Sequence, residues 1–101
     1  MSVELKKIEL YPDNLDGYMN WNEAIDACEK LGDGWRLPNM DELNGMFSDY
    51  KTGIIEFGNY GCWSSESYGT ESAWSKGFHT GNVYINPKEN LNLVRPVRDV
   101  K

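Results

Sequence analysis

Histidine and cysteine are nearly missing: one histidine, His79, and two cysteines, Cys28 and Cys62, are all the sequence offers. A zinc site of four Cys and His ligands cannot be built from these within one chain. Neither cysteine has a partner at CxxC spacing, and no Ser or Cys stands beside His79 in a nucleophile motif. Basic residues are also few, 10 against 16 acidic, for a net charge of −6. They are scattered, so no field attracts a phosphate backbone and nucleic acid is not an expected partner. No apolar run approaches the roughly 20 residues of a membrane helix, so membrane insertion is not expected either. The first ten residues carry charges where a signal peptide has its apolar segment, and the expected location is cytoplasmic as synthesised, with no signal peptide. In that setting the cysteines read as reduced, buried small hydrophobes, whereas an exported chain would pair them.

What is present is aromatic. Hydrophobic residues make up 40% of 101 positions and aromatics 13%, including four Trp and six Tyr. A chain of this length supports one modest core, so residues 1–101 are expected to form a single domain. Asn20 with Glu23 has capping-box spacing, and Trp21, Ala24, Ile25, Cys28 and Leu31 follow at helical period before Gly32. A helix from Asn20 to Leu31 is expected. Asn39 with Glu42 repeats the pattern, with Met40, Leu43, Met46 and Phe47 on one face, for a second helix from Met40 to about Asp49 weakened by Gly45. Asp33 to Arg36 between them reads as a turn.

Extended segments flank these helices. Val3 to Tyr11 alternates as a strand with a phase slip at Lys6-Lys7, and Pro12-Asp13-Asn14 supplies a turn. After Lys51 glycines recur without helical period, and strands are expected at Cys62–Ser65, Ala73–Phe78, Asn82–Ile85 and Leu93–Asp99. Thr80-Gly81 reads as a hairpin turn, and Pro96 as a break in pairing or an edge. The class is α+β, with two helices on a small twisted, mainly antiparallel sheet and both chain ends extended so that they can pair.

Four motifs in order carry a resemblance. They are Trp21-Asn-Glu-Ala-Ile-Asp-Ala-Cys28 leading to Leu31-Gly-Asp-Gly-Trp-Arg-Leu-Pro38, then Cys62-Trp63-Ser64-Ser65-Glu66, then Ala73-Trp74 with Phe78 and Gly81, and finally Val94-Arg95-Pro96-Val97-Arg98. Together they resemble the Lcl C-terminal-type domains of bacteria and phages over roughly Tyr18 to Val100. The resemblance implies a C-type lectin-like fold on the non-catalytic side of the formylglycine-generating enzyme superfamily. The active members of that superfamily need a reactive cysteine pair near the C-terminus, and none stands there. The tail is also similar to the variable proteins of diversity-generating retroelements, in which Asn codons are mutated. Tyr84 and Ile85 among Asn86, Asn90 and Asn92 fit that, although Asn clusters ordinarily serve loops. Cys62 departs from the family's usual Tyr, and Lys76 from its usual apolar residue.

From these readings Trp21, Trp35, Trp63 and Trp74 are expected to be framework. Arg36, Arg95 and Arg98 are expected to pair internally with carboxylates such as Asp41 or Glu42. Tyr68 and Tyr84 are candidates for exposed contacts. The segment Asn86-Pro87-Lys88-Glu89-Asn90 has half of a calcium-lectin loop, but Lys88 brings a cation and no Trp-Asn-Asp follows, so no metal and no cofactor is expected. Catalysis is not expected, carboxylates such as Glu66 and Glu71 counting as ordinary surface residues. The expected function is a ligand-binding or display module. Its mutable face would comprise Ser75, Lys76, His79, Tyr84, Asn86, Lys88, Glu89, Asn90 and Asn92, presented to a protein or a glycan. The other reading is an assembly subunit of a phage or cell-surface particle, with homo-oligomers forming through the same face.

Overall fold

The computed structural model describes residues 8–12, 14–15, 17–51, 61–77 and 81–100, with residues 49–51 through their backbone alone. The expected strand residues 3–7 with their phase slip lie outside the described residues, as do Asp13, Phe78, His79 and Thr80.

Helix α1 (Trp21–Leu31) starts where the sequence places it. The Asn20 side chain accepts the Glu23 amide at 2.8 Å, and the Glu23 carboxylate accepts the Asn20 amide at 3.0 Å. This reciprocal pair satisfies two donors that a helix start leaves open. Gly32 ends it at φ 72°, a conformation that costs any residue with a Cβ. Helix α2 (Met40–Lys51) uses the same device, Asn39 and Glu42 exchanging bonds of 2.8 Å. A further carboxylate oxygen, from Glu66, accepts the Met40 amide at 2.7 Å.

Two antiparallel sheets complete the fold. Strand β1 (Ile8–Leu10) pairs with β5 (Val97–Asp99), Ile8 opposite Asp99, so both ends of the described chain meet in one ribbon. Strands β2 (Gly61–Tyr68), β3 (Ser72–Gly77) and β4 (Val83–Pro87) form the second sheet in the order β2-β3-β4. The β2–β3 register shifts between Trp63 and Ser67. That irregularity lies beside the Glu66 that reaches the start of α2.

The closing strand is shorter than the expected Leu93–Asp99. Pro96 has no amide to give a ladder, and residues 92–96 instead stitch two segments together. Leu15 and Tyr11 donate to the carbonyls of Val94 and Pro96 on one side. Leu93 donates to Gly61, and Trp63 to Leu93, on the other.

Successive side chains on a strand point to opposite faces, and β2 uses this to serve two clusters. Trp63 enters one with Ala24, Cys28, Leu37, Ala73 and Val94; Cys62 enters the other with Leu43, Met46 and Val97. Indole N–H groups lock the first cluster, Trp21 donating to Ser64 O and Trp63 to Met19 O, both at 2.8 Å. Among the described residues no helix is long and apolar enough to cross a membrane.

Candidate functional site

Lys88, just past the end of β4, ties three distant segments together. Its carbonyl accepts the Trp21 amide at 2.9 Å, and its own amide donates to Glu71 O at 2.7 Å. Its ammonium donates to Gly69 O and Thr70 O at 3.3 and 3.1 Å and lies 4.5 Å from the centre of the Trp21 ring. A cation over an indole face is attracted by the ring quadrupole. The start of α1, the β2–β3 turn and the end of β4 therefore surround an open groove of about 540 Å³. Asn22, Thr70, Glu71 and Glu89 stand exposed on its walls, with Ser72 half-buried between them. Amides, hydroxyls, two carboxylates and one ammonium make a lining suited to hydrogen bonding with a neutral or mixed-charge polar ligand.

The carbonyls of Gly69 and Thr70, which could face a metal ion, already receive the Lys88 ammonium. Among the described residues no group of three or more His, Cys, Asp or Glu stands together. In the half-pattern Asn86–Asn90, Lys88 thus brings a cation onto two nearby oxygens of the kind a calcium site uses.

The structure divides the expected ligand face. Lys88 and Glu89 line the groove, and Asn90 is exposed beside them, its amide bonded to Pro87 O at 2.9 Å. Tyr84 is 43% exposed, but on β4, about 13 Å of strand from Lys88 at antiparallel rise. Asn86 and Asn92 are half-buried. The Asn86 Oδ1 accepts Ser75 Oγ at 2.6 Å and Asn92 Nδ2 at 3.4 Å, while Asn92 exchanges main-chain bonds with Met19. Ser75 and Lys76, expected on the ligand face, are instead 0% and 5% exposed and present nothing to solvent. Both lie on β3, the central strand, whose faces are covered. Ser75 shares a face with buried Ala73, and Lys76 sits over the Phe47 ring at 4.9 Å, its ammonium donating to Gly81 O. Burial holds the Lys76 amine below the usual lysine range.

Framework residues behave largely as expected. Trp63 is fully buried; Trp21, Trp35 and Trp74 are half-buried. Trp35 stacks edge-on with Tyr11 at 5.1 Å and under the Arg98 guanidinium at 4.5 Å. Trp74 meets the exposed Tyr68 edge-on at 5.5 Å. Arg36 grips Glu42 with two bonds of 2.8 Å and Asp99 with a third. The Glu42 bond raises the already high Arg36 pKa, and Arg36 holds Glu42 below the usual carboxylate range against its burial. Arg98 also meets a carboxylate, bonding Glu9 across the β1–β5 ribbon at 2.8 Å. Arg95 donates to the carbonyls of Tyr11 and Pro12, contacts that main-chain geometry sets and no sequence pattern announces.

Sequence reasoning missed Asn22, Thr70, Glu71 and Ser72 as groove residues. They are polar surface positions on separate segments, and only the Lys88 contacts bring them together.

In the comparisons with known proteins, no curated protein matches the chain in sequence. The crystal structure of botrocetin superposes on it with a TM-score of 0.60 at 14% identity, covering 99% of this chain and 95% of that one. Two helices with two antiparallel sheets in this arrangement are the C-type lectin-like fold. The family model of the Lcl C-terminal domain matches residues 6–98. With nearly its whole length matched, the chain belongs to the Lcl C-terminal domain family.

Proposed function

We propose that this domain is a non-catalytic module that recognises a protein or a glycan at the polar groove between the start of α1 and the β2–β3 turn. The observation that carries this reading is the Lys88 clamp: one half-buried lysine bonds the neighbouring segments together, leaving the Asn22, Glu71 and Glu89 side chains outward on the frame so formed. Loops held on a fixed scaffold suit recognition because the scaffold meets the ordering cost before binding. The lectin-like fold is consistent with such a role. Thiol chemistry has little support, since burial pushes Cys28 up to about 11 and Cys62 up to about 12 and leaves scant thiolate at neutral pH. A kinship with diversity-generating variable proteins would suit the same role. It rests on Tyr84, Glu89 and Asn90, which stand exposed in the Asn-rich stretch.

The test is a glycan array and a surface-protein pull-down, run with the natural chain and with Asn22→Ala/Glu71→Ala/Glu89→Ala, which keeps Lys88. Specific binding that falls by about tenfold or more in a variant of unchanged melting temperature supports the groove. Binding left intact by the triple change moves the site elsewhere.

A further inference from the structure

The hydrogen-bond phase of β4 singles out its outer edge. Gly77 donates to Asn82 O at one end of the β3–β4 ladder, and Lys88 donates to Glu71 O at the other. In an antiparallel pair the bonded positions alternate, so with Ser75 opposite Tyr84 and Ala73 opposite Asn86, residues 82, 84, 86 and 88 bond inward. The N–H and C=O groups of Val83 and Ile85 therefore point away from β3. Strand β4 ends the sheet, and among the described residues no strand lies beyond it. Val83, Tyr84 and Ile85 are 45%, 43% and 43% exposed. Natural sheets blunt such edges with charge, yet residues 81–87 carry none.

We infer that β4 pairs antiparallel with β4 of a second copy of this chain, about a two-fold axis through Tyr84. Val83 and Ile85 stand one residue either side of that axis. Each then faces the other's counterpart and exchanges both main-chain bonds, four in all, joining two three-stranded sheets into one of six. A second copy suits this edge because an axis at Tyr84 pairs both outward groups of Val83 and of Ile85, whereas an axis at Ile85 sets Val83 against Pro87, which has no amide, and an axis at Val83 sets Ile85 against Gly81, whose amide is bonded to Gly77 O. The seam is also neutral on a protein of net charge −6, so no like charges are brought opposite each other. Pro87, which has no amide, meets the Gly81 position and closes the ladder. Ile85 continues the apolar face begun by its cross-strand partner Trp74 and by Tyr68. Three half-exposed side chains fall well short of the roughly 800 Å² per partner of a standard interface, so the dimer is weak and concentration-dependent.

Sedimentation equilibrium of the full chain from micromolar to millimolar concentration tests this. The average mass should climb from one chain toward two. The double change Val83→Lys/Ile85→Lys sets like charges opposite each other and should weaken association about tenfold or more, whereas Val83→Lys/Ile85→Glu sets opposite charges together and should restore it. A second arm reads the register. In a non-bonded pair the Cα atoms lie about 4.5 Å apart, within disulfide reach. Tyr84→Cys should thus cross-link two chains on mild oxidation, and Asn90→Cys should not. A monomer at every concentration, association blind to both charge pairs, or equal cross-linking at the two positions would overturn the inference.

Discussion

A buried indole and an exposed phenol set the range of single-residue effects in this domain. Trp63 is fully enclosed and bonded through its N–H, so Trp63→Ala should cost about 3 to 5 kcal/mol and lower the melting temperature sharply. Tyr84→Ala, on the outer strand, should stay within about 0.5 kcal/mol of the natural chain. Asn86 behaves differently although it is only two residues away. Its amide oxygen holds the buried Ser75 hydroxyl, and Asn86→Ala should cost about 1 to 3 kcal/mol by orphaning it. Thermal melts of the three variants separate these outcomes. Glu42 gives the acid limb. Its pKa is depressed in the folded chain, so its contribution is present above the ordinary glutamate value of about 4.3 and is lost as the pH falls through the lower folded value. Glu42→Gln should therefore be less stable than the natural chain at neutral pH, and the gap should close as the pH falls below the ordinary glutamate range.

Among the elements, α1 depends on its first residue. Asn20→Ala removes the acceptor of the Glu23 amide and should cost about 1 kcal/mol, read as a lower melting temperature with little change in helical circular dichroism below it. Both helices were legible in the sequence because capping boxes and apolar period act over three or four residues. The pairing of the two chain ends was legible too, from extended segments at both termini. The fate of Ser75 and Lys76 was not, because a strand reads the same at the centre of a sheet as at its edge. Only the position of Phe47 on α2 and of β4 alongside decides that β3 is covered. The groove was hidden for a related reason. Its walls come from residues near 20, 70 and 88, and no local pattern links them. Even Lys88, read as a cation spoiling a metal loop, shows its part only once the Gly69 and Thr70 carbonyls lie beneath it.

For the molecule as a whole, both thiols report on opening. Cys28 and Cys62 are buried in the two separate core clusters, with pKa values pushed up to about 11 and about 12. A thiol reagent at neutral pH should label neither in the native state, and the labelling rate should follow global unfolding as denaturant is added. Fast labelling of either cysteine in native buffer would reveal a local opening that these contacts do not support. The β1–β5 ribbon has a wider consequence. Because Ile8 faces Asp99, the polypeptide enters and leaves at one spot, far easier to splice than ends at opposite poles. A circular permutant in which Asp99 runs through a short glycine-serine bridge into Ile8, with new ends cut at the exposed Asp33-Gly34 turn, should still fold. By the same token, a host protein could carry this domain as a plug-in cassette within a surface loop, its doorway and exit sharing a single hinge.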